Sequence, residues 1–287
     1  MIKRKAFIFM FITSILMSCN ETTVIKKKDN NEYTANPSNQ VILSSEIKWE
    51  QLNPARGDKS PKAGTIWGNR KGTEPTGFLV KFVDGFSSPP HIHNVSYRAL
   101  VIEGLIHNDD PDAEKMWMSK GSFWTQPAGE SHITAAKGGE NMIYVEIDSG
   151  PYLVKPIEEA YDNGEKPINI DQSNIIWLSY SESNSIEKNP QNLEVKIAFL
   201  WEKEATRGLL IKVPSKYNGQ LLSDGNIFQA IVISGKLDYL MPTSDETKLL
   251  HPGSYFSSNG KSTHVIKSDQ ELETIIYIRT NGKIHIK

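Results

Sequence analysis

The chain has 287 residues, a formal net charge of −2 and 38 % hydrophobic residues, enough for one large or two ordinary domains of about 100–200 residues each. The near-neutral charge, with no long basic run and no nucleic-acid-binding motif, excludes nucleic acid as an expected partner. Cys19 is the single cysteine, which excludes an internal disulfide framework and a cysteine-based zinc site. A metal site in this chain would therefore use histidine and oxygen ligands.

The first 18 residues have the features of a signal peptide. Residues 3–5 are basic, and residues 6–17 form an apolar run that is too short to span a bilayer as a stable helix. The sequence Leu-Met-Ser-Cys at residues 16–19 resembles a bacterial lipoprotein cleavage box, in which Cys19 becomes the lipidated first residue of the mature protein. An uncleaved anchor and an ordinary secretory signal are the alternatives, and each of them also exports the protein.

Residues 19–41 are predicted to be a tether between a membrane and the folded part of the chain. This stretch is rich in lysine, asparagine and aspartate and contains few apolar residues, so it cannot bury enough surface to fold by itself. We therefore expect a lipid-anchored protein of the bacterial cell envelope, on the periplasmic or the surface side, whose contact with the membrane is made through Cys19.

From residue 41 onward the pattern is that of an all-β protein. Short runs of β-branched and aromatic residues alternate with clusters of Gly, Pro, Asn and Asp, and no helical periodicity is apparent. This favours a β-barrel or a β-sandwich. The clearest predicted strands span residues 78–83, 97–107, 141–147, 209–213, 228–240 and 273–279.

An internal repeat divides this β-rich region. Trp67 recurs as Trp201, and residues 99–104 recur as residues 230–235, each time about 130 positions later. The polar segment 156–172, which is rich in turn-forming residues, separates the two copies. The repeat predicts two domains of similar fold, at residues 42–165 and 170–287.

Three histidines of the first copy are placed to share one metal ion. In a strand, His91 and His93 face the same side, with Cα atoms about 6.5 Å apart. A turn through Pro127 and Gly129 delivers His132, and Gly129 is predicted to adopt a backbone conformation that a side chain would forbid. Neutral imidazoles suit divalent transition metals, and three of them leave coordination positions open for water or a substrate.

The spacing of these residues resembles the two motifs of the cupin superfamily. Gly85, His91, His93 and Gly104 match the first motif, and the second is matched by Gly121, Pro127, Gly129 and His132. More narrowly, most of residues 42–287 resembles the DUF4437 bicupins and the cupin domain of ChrR-type anti-sigma factors. The resemblance implies two tandem cupin barrels of the double-stranded β-helix or jelly-roll type, and a divalent metal (Fe, Zn, Mn or Ni). It also allows a homodimer, since cupins commonly pair through barrel edges.

Tyr97 departs from the cupin pattern, because the family usually places a glutamate ligand at this point. A centre of three histidines without a carboxylate is therefore expected, and Tyr97 is the candidate catalytic residue. Its hydroxyl could donate a hydrogen bond to a metal-bound water or substrate oxygen, or could ligate the metal after losing its proton. An ordinary pKa of about 10 favours the first role. A third interpretation is an aromatic residue that fills the barrel.

The second copy lacks the metal-binding set. The positions that match the ligands and the turn of the first copy hold other residues, and only the third histidine has a counterpart, His264. A degenerate barrel without a metal is therefore predicted for residues 170–287. The substituted positions are Leu222, Asp224, Phe228, Asn259 and Lys261.

Other polar residues receive plainer interpretations. His107, His251 and His285 are predicted to be solvated histidines in polar turns or near the terminus. Glu146, on a predicted inner strand, could orient a ligand histidine through a hydrogen bond.

Two classes of function fit these features. The first is a metalloenzyme, in which the open coordination positions bind a small molecule and support oxygen insertion, isomerisation or hydrolysis. The second is a binding or sensory module, in which the metal is structural or holds a small ligand without turnover. A third candidate is an envelope scaffold whose metal stiffens the barrel. Fold-level analogy does not choose between them.

Overall fold

The computed structural model describes residues 38–188, 193–244, 246–269 and 271–287. The predicted signal peptide, Cys19 and the tether up to residue 37 lie outside these ranges. The described residues form β-strands, turns and short 3₁₀ helices, so the all-β prediction is confirmed. Within the same ranges, no helix combines the length and the apolar character that crossing a bilayer requires.

The first half of the chain contains ten strands among its described residues. They are β1 (Gln40–Ile42), β2 (Glu50–Gln51), β3 (Lys62–Trp67), β4 (Thr76–Phe82), β5 (Ile92–His93), β6 (Tyr97–Asp109), β7 (Phe123–Gln126), β8 (Ile133–Ile147), β9 (Val154–Lys155) and β10 (Ile168–Ile170). The 3₁₀ helices are Ser44–Glu46, Pro54–Lys59, Ile157–Glu159 and Gln172–Asn174.

The second half begins its strands after residue 195. They are β11 (Lys196–Lys203), β12 (Thr206–Val213), β13 (Asn218–Ser223), β14 (Phe228–Ser234), β15 (Leu237–Leu240), β16 (Thr247–Leu250), β17 (Tyr255–Ser258), β18 (Ser262–Ser268), β19 (Thr274–Thr280) and β20 (Ile284–Ile286).

A seven-stranded antiparallel sheet organises the first half, in the order β10-β7-β6-β8-β4-β3-β2, beside the two-stranded sheet β5-β9. Successive residues of a strand point to opposite faces, and β6 shows this clearly. Ala99 and Val101 face a core inside the first half, together with Phe78, Trp124 and Val145. Leu100 and Ile102, which alternate with them on β6, face the second half instead. The sheet is therefore apolar on both faces.

Two sheets build the second half, in the orders β1-β17-β14-β19-β12-β11 and β16-β15-β18-β13-β20. They enclose a core that includes Ile211, Val232, Phe256, Ile266 and Ile276, all of them buried. Each half thus has its own apolar interior. A third apolar cluster lies between the halves, where Leu100 and Tyr144 of the first meet Ile231 and Tyr277 of the second.

The internal repeat is visible in the contacts of its tryptophans. The indole nitrogen of Trp67 donates to the Tyr144 hydroxyl at 3.1 Å, and that of Trp201 donates to the Tyr277 hydroxyl at 2.9 Å. Both tryptophans follow a register shift in their strand pair. The two halves therefore share a local arrangement as well as a sequence pattern.

Two strands lie near the predicted domain bounds. β1 pairs with β17, so the strand that opens the described chain belongs to a sheet of the second half. β10 pairs with β7 of the first half, although it lies beyond residue 165. The domain bounds 42–165 and 170–287 stay a prediction.

The strand predicted over residues 228–240 is wrong as a single element. The structure has two strands there, β14 and β15, separated at Gly235, whose φ of 78° lies in the left-handed region that favours glycine. Thr274 fixes the turn, because its hydroxyl donates to the Lys236 carbonyl at 2.9 Å. The sequence pattern concealed this turn, since apolar residues flank it on both sides.

The prediction of a solvated His107 is also wrong. His107 lies within β6, which continues past the bulge near Gly104, and only 1 % of the residue is exposed. Among the described residues neither ring nitrogen has a hydrogen-bond partner, and the ring lies 6.2 Å from that of Trp117.

Candidate metal centre

Two chain segments bring the three histidines to the same end of the first half. His91 and His132 form an antiparallel bridge, in which the main-chain nitrogen of each donates to the carbonyl of the other at 3.0 Å. His93 lies on β5, two residues beyond His91, so its side chain points to the same side. The segment that carries His132 is thus held beside the His-x-His pair by main-chain hydrogen bonds.

The three imidazoles form one cluster. One nitrogen from each of His91, His93 and His132 lies within 4.8 Å of the others. The Nδ1 atoms face main-chain carbonyls, so they carry the protons and each Nε2 is the unprotonated nitrogen. The carbonyl partners are Pro89 for His91 at 2.9 Å, Leu153 for His93 at 3.1 Å and Glu130 for His132 at 3.2 Å.

The surroundings keep all three rings neutral. Burial lowers the pKa of His91, and it lowers that of His132 to about 3, with the neighbouring His91 adding to the effect. The pKa of His93 falls well below its usual value, mainly through burial and then through the two other histidines. Neutral imidazole is the form that binds a metal, so this donor set fits a divalent transition metal.

Gly129 shapes the turn that delivers His132. Its φ is 79°, which confirms the prediction from the Pro-x-Gly sequence. Its main-chain nitrogen donates to the His93 carbonyl at 2.8 Å. A Cβ at this position would lie 2.5 Å from the Tyr161 carbonyl oxygen, so both backbone conformation and space require glycine.

Tyr97 lies beside the cluster and belongs to a buried polar network. Its hydroxyl donates to Asn108 Oδ1 at 3.0 Å and lies 3.5 Å from His132 Nε2. Thr134 donates to the same Asn108 oxygen at 2.8 Å, and the Asn108 amide donates to Gln126 at 2.9 Å. Burial raises the pKa of Tyr97, so the phenol keeps its proton. The catalytic role of Tyr97 stays a prediction.

Tyr152 is a second tyrosine of the cluster, which sequence reasoning missed. Its ring stacks on that of His93, with centroids 4.4 Å apart, and its hydroxyl lies 3.1 Å from His93 Nε2. Burial raises the pKa of Tyr152 well above the ordinary value. No motif marks the position, because Tyr152 lies in a loop 59 residues after His93.

The cluster opens into a cavity of about 310 Å³. His91, His93 and both tyrosines contribute to its lining, and most of the remaining wall is apolar. The apolar part consists of Leu52, Pro61, Val80, Phe82, Phe86, Pro89, Ile143, Val145 and Val154. This size and composition are typical of a pocket for a small organic molecule.

The equivalent positions of the second half are arranged differently. His264 is fully buried and stacks on Phe228, with ring centroids 4.2 Å apart. Its Nδ1 lies 2.7 Å from the Tyr239 hydroxyl, and its Nε2 lies 3.1 Å from Ser258 Oγ. His264 is therefore a core histidine whose two nitrogens both have protein partners.

Glu146 does not orient a ligand histidine, so that expectation is wrong. Its fully buried carboxylate lies between the two halves and accepts hydrogen bonds from the hydroxyls of Tyr144 at 3.1 Å and Tyr277 at 2.9 Å. Arg98 and Arg279 approach it from either side at 3.7 and 3.9 Å. Glu146 was correctly predicted to lie on an inner strand, which is β8, but its carboxylate faces the second half.

Comparison with known proteins identifies the family and the fold. The sequence profile of a family described as "Domain of unknown function (DUF4437)" matches residues 40–287. A search of curated proteins finds no match. A protein from Nostoc punctiforme, proposed to be a dioxygenase, has 15 % identity and a TM-score of 0.63, with 85 % of this chain and 82 % of that chain covered.

Two enzymes have similar folds at still lower identity. Lactobacillus farciminis oxalate decarboxylase is 11 % identical with a TM-score of 0.57, covering 85 % of this chain and 86 % of its own. A variant of salicylate 1,2-dioxygenase from Pseudoaminobacter salicylatoxidans is 10 % identical with a TM-score of 0.51, covering 77 % of each chain. Such identities establish the fold alone, and the prediction of two tandem cupin barrels is confirmed.

Proposed function

The chain belongs to the DUF4437 family, and from that premise we propose that it is an exported enzyme that uses a divalent metal to transform a small organic molecule. The reaction is dioxygenase-like or isomerase-like. The observation that carries the proposal is the convergence of three neutral histidines on one point beside a largely apolar cavity. His91, His93 and His132 would hold the metal, which would supply Lewis-acid or redox chemistry at its open positions.

The protein residues have distinct parts in this proposal. The Nδ1 hydrogen bonds to main-chain carbonyls fix the orientation of the three rings and direct each Nε2 inward. Tyr97 and Tyr152 keep their protons, so each can donate to an oxygen atom of a bound molecule once its hydroxyl turns from its present partner, Asn108 for Tyr97 and His93 for Tyr152. The apolar wall limits access of water and thereby strengthens those polar contacts.

The comparisons support an enzymatic function through the names of two proteins of similar fold. Proteins with the same fold include one that is named an oxalate decarboxylase and one that is named a salicylate dioxygenase. Both names describe reactions of small organic acids. At identities this low the likeness carries no residue roles, so the proposal rests on the histidines and the cavity.

Export and lipid anchoring through Cys19 form the second part of the proposal. Their support is the basic start, the short apolar run and the Leu-Met-Ser-Cys sequence at residues 16–19. We place the folded part on the outer side of a bacterial membrane, in the cell envelope. Growth with a radiolabelled fatty acid would test this, because Cys19→Ser should abolish labelling if Cys19 is the lipidated residue.

Elemental analysis of protein purified without added metal tests the proposed centre. We expect about one equivalent of a divalent metal in the wild type and a large loss in His132→Ala, since only two protein ligands remain. His251→Ala is the matched control, because His251 is exposed and lies outside the cluster. Unchanged occupancy in His132→Ala would refute the three-histidine site. Iron or manganese that responds to air and substrate would support an oxygenase, whereas zinc held without turnover would support a binding module.

A further inference from the structure

The cavity beside the histidines has an unbalanced charge. Arg56 is the one arginine in its lining, which contains no Asp, Glu or Lys. A divalent metal would add further positive charge. Positive charge in a partly desolvated pocket favours an anionic ligand over a neutral or cationic one.

A compact loop holds Arg56 at the rim. The ends of the loop meet where the Leu52 nitrogen donates to the Pro61 carbonyl at 2.8 Å, and Asn53 donates to Ser60 Oγ at 2.9 Å. The Arg56 nitrogen donates to the Asn53 carbonyl at 3.0 Å, which closes the turn that contains Arg56, and the Ser60 nitrogen donates to the Gly57 carbonyl at 3.0 Å in the turn that follows. The loop is therefore braced by its own hydrogen bonds.

The guanidinium of Arg56 is directed over the apolar wall. Its Cζ lies 5.4 Å from the centre of the Phe86 ring, and Phe86 packs against Phe82 with centroids 5.0 Å apart. Within the described part of the chain, no carboxylate lies within salt-bridge distance of Arg56. An arginine packed on an aromatic ring keeps its hydrogen-bond donors available for a bidentate partner such as a carboxylate.

Together these features define the ligand chemistry of the site. We infer that the substrate is an organic carboxylate with an apolar body, whose carboxylate binds Arg56 at the rim while the body packs on Phe82, Phe86 and the facing aliphatic wall. A second oxygen-bearing group of the same molecule then reaches the histidines and the two tyrosine hydroxyls. This inference rests on the proposed function, because it assigns the substrate class of the same centre.

The test compares an acid with a neutral molecule of the same shape. 3-Phenylpropionate and 3-phenylpropionamide are titrated by calorimetry into the full-length protein, once metal-free and once loaded with zinc. We expect the wild type to prefer the acid in both forms. Arg56→Gln should lose about five- to tenfold in affinity for the acid and little for the amide, since the rim is partly solvated. Lys59→Gln is the matched control, because Lys59 ends the same 3₁₀ helix but does not line the cavity.

The outcomes separate this inference from the proposed function. An acid preference that Arg56→Gln removes and Lys59→Gln retains supports the inference. If Arg56→Gln keeps the preference, or if the preference appears only with zinc, the carboxylate binds elsewhere and the inference is refuted while the metal centre stands. Failure of either compound to bind also counts against the inference. If zinc does not bind, the proposed centre fails, and the metal-free titration still decides the role of Arg56.

Discussion

The hydroxyl of Tyr152 lies 3.1 Å from Nε2 of His93, the nitrogen that would face a metal. Its ring stacks on the imidazole at the same time, with the two planes inclined by 20°. Because His93 Nδ1 donates to the Leu153 carbonyl, the phenol is the donor to the nitrogen that a metal would need. A bound metal would displace the Tyr152 hydroxyl from His93, and that hydroxyl could then donate to a molecule held beside the metal.

Tyr152→Phe should raise the affinity for zinc about 2- to 10-fold, because metal binding no longer has to break a hydrogen bond of ordinary net strength. Competition against a chelator measures the change. Tyr180→Phe serves as the control, since Tyr180 is 46 % exposed and does not line the cavity. A weaker affinity in Tyr152→Phe would instead make the Tyr152 oxygen a metal ligand.

Tyr97→Phe should leave the metal content unchanged and should lower the free energy of unfolding by about 1 kcal/mol through the loss of one buried hydrogen bond. The cost is small because Asn108 Oδ1 keeps the hydrogen bond from Thr134 at 2.8 Å. Elemental analysis and urea unfolding measure the two effects. Loss of the metal in this variant would show that Tyr97 ligates, and would overturn its assignment as a hydrogen-bond donor.

Gly129→Ala should destabilise the protein by about 1–3 kcal/mol and should reduce its metal content, because the left-handed backbone and the Tyr161 carbonyl both oppose a side chain there. Gly139→Ala provides the comparison, since a Cβ at Gly139 meets no atom within 4 Å. Equal stability and equal metal content of the two variants would contradict the assigned role of the Gly129 turn. Thermal unfolding and elemental analysis supply the measurements.

Asp148→Asn should lower the free energy of unfolding by about 1 kcal/mol at neutral pH, a value kept small by partial exposure of the carboxylate. Asp148 pairs with Arg98 at 2.8 Å and with Arg279 at 3.0 Å, so it joins the two halves. Burial alone would raise the pKa of Asp148, but the two guanidinium groups outweigh it and hold that pKa below its usual 3.8.

The pH dependence of this effect has a definite sign. Because the folded-state pKa of Asp148 is the lower one, its stabilisation is present above the ordinary pKa of 3.8 and is lost as the pH falls through the folded value. The difference between wild type and Asp148→Asn should therefore shrink on acidification to about pH 2. Glu50→Gln, which removes the exposed carboxylate that pairs with Arg70, should change stability by under about 0.5 kcal/mol. A pH-independent difference at Asp148 would mean that packing rather than charge is responsible.

Local spacing made the histidine cluster predictable. His91 and His93 are two apart in the sequence, and the Pro-x-Gly turn before His132 has a fixed backbone requirement that Gly129 meets. Each of these inferences needs only a few neighbouring residues. The all-β class was predictable for the same reason, since alternation and turn residues are local properties.

Residues that reach the centre through tertiary structure could not be found in this way. Tyr152 and Arg56 lie in loops that are many positions away from the histidines in the sequence. No spacing rule connects a loop residue with a strand that is distant along the chain. His107 was misjudged because polar neighbours conceal a long strand that buries it. Glu146 was assigned to the wrong neighbours, because strand alternation does not reveal which of two apolar faces meets the second half.

The pairing of β1 with β17 determines when β1 can join its sheet during synthesis of the chain. Ser38, just before β1, exchanges hydrogen bonds with Asn259, which lies 221 positions later. On the ribosome, the earliest described strand must wait until nearly all of the protein has been synthesised before its partner exists. β1 can therefore pair only after strands β11 to β17 have been synthesised, and a pull on the amino terminus would load the second half through β17 before it reached the histidine cluster.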